Sequence, residues 1–268
     1  MAGLVFFPIS CYSISIIGPI AHLVERRTCT AEVAGSSPVR STMKIIFEDD
    51  NIIVIEKPAN LTVHPTNSKQ DNTLVNQLLA YYPKIKDIGD DPLRPGLVHR
   101  LDKDTSGLMV IAKNKKSFEN LKKQFAERKV TKKYLALVHG RVKDDKGIIT
   151  KSISFSKKNY KKRTALLDEN SKPAVTEYKV IKRFKKYTLL KVYPKTGRTH
   201  QIRIHLHSIG YPIVGDQQYK FKRVKTPEGL ERQFLHATAL KFKSVDGKIM
   251  EFKSELPQDL YEQIRRIQ

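Results

Sequence analysis

The stretch Gly96–Asn114, GLVHRLDKDTSGLMVIAKN, constrains the fold more than any other part of this chain. An ionisable cluster at positions 99–104 stands between two short apolar runs, Leu97–Val98 and Leu108–Ile111. The Thr-Ser-Gly at 105–107 predicts a tight turn, because Gly permits positive φ and Ser or Thr bonds to local backbone. We therefore expect an aspartate at the rim of a sheet, where a catalytic carboxylate would be placed. A charged surface hairpin is the alternative.

The rest of the sequence predicts short strands that outnumber the helices. Strands are expected twice within 44–58, at Leu108–Lys113, Lys132–Gly140, Ala174–Phe184 and Tyr187–Tyr193, and within 234–243 and 248–253. Helices are expected at Asn72–Tyr82 and Lys115–Arg128, within 194–216 and at 257–266. Because the connections are mostly hairpin-like, the pattern favours the α+β class, with a mixed, mostly antiparallel β-sheet flanked by helices. No internal repeat or low-complexity linker divides residues 43–268, which we expect to form a single domain.

Residues 1–42 do not share the character of the remainder. Their apolar stretch is long enough to span a bilayer, but Pro and Gly interrupt it and no Lys or Arg precedes it. The segment 21–42, AHLVERRTCTAEVAGSSPVRST, resembles the conceptual translation of a transfer-RNA gene. We therefore expect translation to start at Met43, with residues 1–42 as a mis-called start. A membrane anchor is the alternative.

The charge of the chain points to a polyanionic partner. Lys and Arg total 50 against 27 Asp and Glu, which gives a formal net charge of +23. The basic residues run from Lys57 to Arg266 and are not confined to a tail. A folded domain this basic is expected to bind RNA or DNA first and an acidic membrane second. A generally Lys-rich proteome is the alternative explanation.

Cysteine usage excludes several kinds of chemistry for residues 43–268. The two cysteines, Cys11 and Cys29, both precede Met43. A disulfide framework, a thiolate metal site and a cysteine nucleophile are therefore excluded for the main part of the chain. This usage suits a reducing compartment, and we expect a cytoplasmic protein that is not attached to a membrane.

Two patterns that elsewhere bind metal are poor candidates here. Asp102 and Asp104 form a D-x-D, which in other proteins holds Mg²⁺ or begins a phosphatase loop. Lys103 between them and Arg100 nearby would oppose a dication. The histidines within 200–207 stand among Lys and Arg residues, which disfavours a cation equally. We predict no metal site, and a metal-dependent phosphohydrolase remains the weaker alternative.

Three segments together resemble the signature motifs of RNA pseudouridine synthases of the RluA type. They are RPGLVHRLDKDTSGLMVIAKN (94–114), KKYLALVHG (132–140) and TGRTHQIRIHLHSIGYPIVGD (196–216). KPANLTVHPT (57–66) and FLHATAL (234–240) are similar to the family's earlier and later motifs, in the same order. HRLDKDTSG followed at this distance by GRTHQIR is not a chance pattern. The resemblance covers nearly all of 43–268 and implies isomerisation of uridine in RNA to pseudouridine.

The resemblance also implies roles for three catalytic residues. Asp102 would be the essential carboxylate, acting either as a nucleophile at C1′ of the ribose or as the base that starts elimination at C2′. Arg203 would be its cationic partner, since a planar guanidinium suits a buried carboxylate. Tyr134 would stack on the base and remove the C5 proton at the end. The chemistry requires no metal, nucleotide or redox cofactor.

A second set of residues is expected to contact RNA. The reacting bonds lie inside a folded RNA, so the nucleotide must be flipped out. Arg100 matches the arginine that fills the vacated place in the stack. The other expected contacts are His99, Lys133, Arg198 and His200, with the basic face of helix 115–128 and the KKNYKKR run at 157–163.

Substrate recognition is expected to come from the catalytic domain itself. Many larger members of the family carry an N-terminal S4-like RNA-binding domain, which 42 residues of unrelated character cannot form. We expect a monomer that acts on ribosomal or transfer RNA, and the sequence does not separate the two. A non-catalytic RNA-binding or ribosome-assembly protein that keeps the fold is the main alternative function.

Overall fold

The computed structural model describes residues 42–65, 71–156, 159–165 and 171–267, with only the backbone given for 155–156 and 159–163. All of its helices and strands lie in one unit, Glu32–Gln268. Residues 1–41, on which the prediction of a mis-called start rests, lie outside the described residues.

The described part of the chain contains eleven strands and four helices. The strands are β1 (Lys44–Glu48), β2 (Ile52–Lys57), β3 (Ser106–Ala112), β4 (Thr131–His139), β5 (Lys146–Ile149), β6 (Ser154–Ser156), β7 (Asn159–Thr164), β8 (Thr176–Arg183), β9 (Tyr187–Pro194), β10 (Leu235–Lys243) and β11 (Ile249–Lys253). The helices are α1 (Leu74–Tyr81), α2 (Lys115–Ala126), α3 (Gln201–Ser208) and α4 (Gln258–Arg266), with a 3₁₀ turn at Pro83–Asp87. The predicted elements are all present, and their bounds differ from the expected ones by a few residues.

Nine of the described strands form one sheet in the order β1-β2-β3-β10-β4-β9-β8-β5, with β11 paired to β10. The pairing of β3 with β10 is parallel, and the other pairings in this sheet are antiparallel. Strands β6 and β7 form a separate antiparallel pair. The predicted α+β class with a mixed, mostly antiparallel sheet is confirmed.

The centre of the core lies at β2 and β3. All seven residues of β3, SGLMVIA, are buried, and so are the four β-branched residues that begin β2. A strand that is apolar on both faces is covered on both sides. Helix α2 contributes to this cover through Phe118 and Leu121, at helical spacing, and begins after the N-cap Asn114. The sheet therefore holds β3, and the segment that leads into it, in a fixed position.

The tight turn expected at residues 105–107 is wrong in its position. The turn comes earlier, where the Thr105 N–H donates to the Asp102 carbonyl over 3.1 Å. Gly107 belongs to β3 and has φ +120°, and a Cβ there would meet the Ala237 carbonyl oxygen at 2.4 Å. The glycine is required because β10 approaches β3 closely, and not because the chain turns.

The helices are short. Helix α1 is capped by Thr73, whose hydroxyl accepts the Asn76 N–H, and not by the expected Asn72. Helix α4 follows Pro257, as predicted. Within the described ranges, no helix combines the length and apolar character that a bilayer crossing requires.

Candidate active site

The segment that carries Asp102 is held by two basic side chains through its main chain. Arg232 Nη1 donates to the carbonyl oxygen of Asp104 over 3.3 Å, and Lys57 Nζ donates to that of Lys103 over 2.9 Å. The Asp102 side chain keeps 17% of its surface exposed. These bonds fix the backbone on the C-terminal side of Asp102, while the carboxylate itself remains accessible to a substrate.

Lys57 is a fully buried lysine at the end of β2 that the sequence analysis missed. Its Nζ also donates to the carbonyl oxygens of Pro58 (2.7 Å) and Leu61 (2.9 Å), so three acceptors surround the three N–H groups of an ammonium. Burial lowers the pKa of Lys57 to about 7, although the carboxylates of Asp104 and Asp102 oppose this shift. A lysine at the end of an apolar strand, just before a proline, was the only available signal.

Arg203 on α3 connects two carboxylates. Its Nη1 donates to Asp102 Oδ2 over 3.1 Å, its Nε to Asp216 Oδ2 over 2.7 Å and its Nη2 to Asp216 Oδ1 over 3.0 Å. Burial alone would lower the pKa of Arg203, but Asp216 and Asp102 outweigh it and raise the pKa above its usual value. The guanidinium is therefore always charged, and the predicted pairing of Arg203 with Asp102 is present in the structure.

Asp216 was not singled out from the sequence. Its side chain is completely buried. Burial raises the pKa of Asp216, but the hydrogen bonds and charge of Arg203 outweigh this and lower it. Asp216 therefore stays ionised beside Arg203. Its position at the end of the GYPIVGD segment, after buried apolar residues, was the signal that could have identified it.

The sheet brings Tyr134 to the same site through strand register. Gly107 pairs with Ala237, Ala237 with Tyr134, and Tyr134 with Val192, so these four residues form one row across β3, β10, β4 and β9. Only 8% of Tyr134 is exposed. Burial, reinforced by the charge of Asp102, raises the pKa of Tyr134 well above its ordinary value. The phenol is therefore protonated at neutral pH.

His200 also lies beside Asp102. It caps the N-terminus of α3 in the left-handed conformation, with φ 56°. Its Nε2 is 4.0 Å from Asp102 Oδ1, and its Nδ1 is hydrogen-bonded to the Tyr219 hydroxyl at 3.0 Å. Burial lowers the pKa of His200, against the opposing charge of Asp102. A largely neutral imidazole thus faces the carboxylate oxygen that Arg203 does not contact.

Arg100 is exposed beside the site. Its Nη1 donates to His64 Nε2 over 2.9 Å, and His64 is buried in the loop after β2. Burial lowers the pKa of His64, which favours the neutral form that accepts this bond. Arg100 itself lies two residues before Asp102 and is open to solvent, and its expected role in the RNA stack stays a prediction.

His99 is directed into the protein. Its Nε2 accepts the Val110 N–H over 3.0 Å, and its ring stacks on Phe125 with centroids 4.7 Å apart. Burial lowers the pKa of His99 to about 3, with a smaller contribution from Lys132. These contacts give His99 a packing role, because its ring is already occupied by β3 and α2. Its expected contact with RNA stays a prediction.

The remaining predicted RNA contacts lie around the site. Lys133 precedes Tyr134 on β4 and is half-buried, and Arg198 Nε donates to the Pro173 carbonyl over 3.3 Å. The exposed face of α2 carries lysines, as expected. In the KKNYKKR run, Lys157 and Lys158 lie outside the described residues, as do the side chains up to Arg163. Whether these residues contact RNA stays a prediction.

The sequence patterns that elsewhere bind metal make other contacts in this protein. Among the described His, Cys, Asp and Glu side chains, no three are grouped as a metal ion would require. Asp102 of the D-x-D pattern is paired with Arg203, and His205 bonds through both ring nitrogens, to Thr176 Oγ1 and to the Lys151 carbonyl.

Comparison with known proteins gives one consistent family. The profile of a family described as RNA pseudouridylate synthase matches residues 51–208. The uncharacterized RNA pseudouridine synthase YlyB of Bacillus subtilis is 40% identical over 226 residues, 84% of this chain and 73% of the relative. Ribosomal large subunit pseudouridine synthase D of Haemophilus ducreyi is 38% identical over 243 residues, which cover 86% of this chain and 72% of the relative.

A solved structure is similar in its fold. The structure of human RNA pseudouridylate synthase domain containing 4 covers 83% of this chain and 92% of its own, with 26% identity and a TM-score of 0.66. Asp102, Tyr134 and Arg203 all lie within the residues that the family profile matches, whereas Asp216 lies beyond its last matched residue.

Proposed function

The chain belongs to the RNA pseudouridylate synthase family, of the RluA type, and we propose that it isomerises specific uridines of ribosomal RNA with Asp102 as the reacting carboxylate. The observation that carries this proposal is the meeting of three groups at one site. Asp102, partly exposed, is paired with the buried Arg203 and stands near the buried phenol of Tyr134. An anion held by a fixed cation beside an aromatic ring suits a reaction at a ribose whose base needs a stacking surface.

The isomerisation changes bonds but not composition. The C1′–N1 bond breaks, the uracil turns over, C1′ bonds to C5, and the proton on C5 leaves while N1 gains one. Asp102 begins this sequence either as a nucleophile at C1′ or as the base that removes the C2′ proton. Arg203 pairs with the carboxylate in either case, and because its position is fixed no water molecule has to reorganise around that pair. Both routes stay open in the proposal.

Tyr134 supplies the surface for the flipped base. Its backbone is fixed by strand pairings on both sides and only 8% of the residue is exposed, so the ring has little freedom and is preorganised for stacking. We also assign it the removal of the C5 proton. Since the phenol is protonated at rest, this transfer requires the hydroxyl proton to leave first, and the rate should depend on the small phenolate fraction.

Arg100 is proposed to hold the RNA open while the uridine is in the pocket. Its guanidinium is exposed and tethered at one N–H to His64, which leaves its planar face free to stack in place of the extruded base. Lys133 and Arg198 remain proposed contacts to phosphates, and His200 a proposed contact to the ribose or its phosphate. These contacts position the RNA and do not read its sequence.

Ribosomal RNA is favoured over transfer RNA by the relatives' names. The Haemophilus ducreyi enzyme is named for the large ribosomal subunit. Ribosomal RNA as the substrate, a cytoplasmic location and a monomer are parts of the proposal that each need their own measurement. The alternative is a ribosome-assembly protein in which the site has no chemical role.

Pseudouridine mapping tests the proposal directly. Total RNA from cells with and without the gene is treated with carbodiimide and read by primer extension. We expect one or more stops in large-subunit ribosomal RNA to disappear without the gene and to return with the wild-type gene but not with Asp102→Asn. An unchanged map would contradict the enzymatic proposal. A cell phenotype that Asp102→Asn rescues fully would favour the assembly function.

A further inference from the structure

We propose that Asp216 is a positioning residue that aims Arg203, so that a single N–H of the guanidinium faces Asp102 and one oxygen of Asp102 stays free for the ribose. The inference rests on the proposed function, because it concerns how the reacting carboxylate is presented. It adds a residue that lies beyond the segment matched by the family profile.

One edge of the Arg203 guanidinium is committed to Asp216. Nε and Nη2 donate to the two carboxylate oxygens of Asp216 in a bidentate pair, over 2.7 and 3.0 Å. Only Nη1 reaches Asp102, at Oδ2, over 3.1 Å. Asp216 is 1% exposed and Arg203 7% exposed, so water does not compete for this pair. Asp216 therefore sets the direction in which Nη1 points, while Nη2 also faces Gln218 Oε1 at 3.5 Å.

Asp216 is itself fixed by the backbone that follows it. Its Oδ1 accepts the N–H groups of Gln218 and Tyr219, over 2.8 and 2.9 Å. The turn so formed places the Tyr219 ring over the guanidinium of Arg203, with Arg203 Cζ 5.0 Å from the ring centroid. The Tyr219 hydroxyl then bonds to His200. One carboxylate thus determines both the in-plane direction of the guanidinium and the ring that covers its face.

The consequence concerns the two oxygens of Asp102. A guanidinium that is free to rotate pairs with a carboxylate through two parallel bonds, and such a pair would occupy both oxygens of Asp102. With Asp216 present, Oδ1 has His200 Nε2 as its neighbour, at 4.0 Å, which is beyond hydrogen-bond distance. Asp102 is therefore paired with Arg203 through Oδ2 and still has an oxygen available for attack or proton removal.

Asp216→Asn provides the primary test. This variant keeps the size of the side chain and an acceptor for the two backbone N–H groups, but it cannot form the charged bidentate pair. On a transcript of large-subunit ribosomal RNA, we expect the single-turnover rate constant to fall about a hundredfold while the dissociation constant for the same RNA changes less than about threefold. A rate constant within threefold of the wild type would overturn the inference.

A double variant separates aiming from a general structural effect. If Asp216 acts through the fork of Arg203, Asp216→Asn should add less than about threefold to the loss caused by Arg203→Lys alone, because a lysine has no fork to aim. Multiplication of the two losses would contradict the inference. If the wild-type protein itself leaves the transcript unmodified, it is the proposed function that fails, and that outcome is distinguishable from failure of the aiming role.

Asp216→Glu keeps the test valid if the asparagine variant does not fold. It retains the buried charge but displaces the carboxylate by one methylene, so the guanidinium is paired and aimed differently. We expect normal RNA binding with a rate constant reduced at least tenfold. A wild-type rate constant in folded Asp216→Glu would show that aim is unimportant and would overturn the inference.

Discussion

Arg203 Nη1 lies 3.1 Å from Asp102 Oδ2, although 101 residues separate the two along the chain. The pair joins the segment before β3 to the first turn of α3, so the sheet and the helix must both be in place before the carboxylate is held. Its reactivity then depends on a contact that no local segment can make alone. This dependence makes Asp102 the first residue to test.

Asp102→Asn should abolish isomerisation and leave RNA binding intact. The amide keeps the shape of the side chain, but it can neither attack C1′ nor accept the C2′ proton, and we expect a loss of at least about a thousandfold in the rate constant. Asp104→Asn is the matched control, since Asp104 is held through its main-chain oxygen. The rate constant of Asp104→Asn should stay within about threefold of the wild-type value. Comparable losses in both variants would contradict the assignment of Asp102.

Tyr134→Phe should separate stacking from proton transfer. The ring is retained and the hydroxyl is lost, so we expect normal RNA binding and a rate constant reduced about a hundredfold. Because the pKa of Tyr134 is raised, the phenolate fraction grows tenfold per pH unit, and the wild-type rate should rise between pH 7 and 9. The variant should show no such rise.

Tyr178→Phe serves as the control for this experiment. Tyr178 is another buried tyrosine of the sheet, on β8, and the charges that act on it are those of Asp144 and Tyr211. The rate constant and pH profile of Tyr178→Phe should match those of the wild type. If Tyr134→Phe instead keeps nearly full activity, the hydroxyl has no role in proton transfer and Tyr134 acts by stacking alone.

Arg100→Ala should matter most when the uridine lies in a structured RNA. Without a side chain to fill the stack, the flipped state loses part of its stabilisation, and we expect at least about a tenfold lower rate on a stem-loop, equivalent to roughly 1.4 kcal/mol. A single-stranded oligonucleotide with the same uridine should be affected much less. Arg94→Ala, at an exposed arginine of the same segment, should affect neither substrate. Equal losses on both RNAs would exclude the stacking role.

Much of the fold was predictable because its strands are local hairpins. Strands β1 and β2 and strands β8 and β9 join through short turns. The β-branched residues of the first pair and the alternating apolar residues of the second identify them without distant information. The motif resemblance then predicted Arg203 as the partner of Asp102, which the geometry confirms. Physical spacing alone would not have predicted that pair.

The errors and omissions concern contacts between distant segments. Lys57 looks like an ordinary basic residue at a strand end, and only the folded loop brings three carbonyl groups to its Nζ. Asp216 is identified only by its hydrogen bonds to Arg203, which lies on α3 thirteen residues earlier. For His99, the sequence gives no sign of the contact with Phe125 that α2 supplies. A sequence does not state which neighbour a loop side chain will meet.

His99 should make the protein acid-labile. Its pKa is lowered to about 3 in the folded protein, against about 6.5 when unfolded, so the unfolded state binds the proton more readily between these values. The contribution of neutral His99 to the free energy of unfolding is complete above about pH 6.5 and is lost as the pH falls towards 3. Between pH 7 and 5 this amounts to roughly 2 kcal/mol.

Urea unfolding of His99→Gln tests this origin of the acid lability. The glutamine oxygen still accepts the Val110 N–H but does not titrate. The variant should therefore lose roughly 2 kcal/mol less than the wild type between pH 7 and 5. Some loss should remain, because burial also lowers the pKa of His236, to about 4. Equal losses in the two proteins would contradict a buried neutral His99.

Gly107→Ala should destabilise the protein through contact with β10. A Cβ at Gly107 would lie 2.4 Å from the Ala237 oxygen and 2.6 Å from its nitrogen, and φ is +120°. Backbone atoms cannot move aside as a side chain does, so we expect a loss of more than about 2 kcal/mol in the free energy of unfolding.

Gly247→Ala is the control, since Gly247 has positive φ with no atom within 4 Å of an added Cβ. This variant should lose only about 1 kcal/mol in the free energy of unfolding. Because Gly107 shares a row with Tyr134 and follows Asp102 closely, the folded fraction of Gly107→Ala should also isomerise more slowly, whereas Gly247→Ala should retain the wild-type rate. Similar unfolding energies for the two variants would show that positive φ alone, and not the approach of β10, requires the glycine.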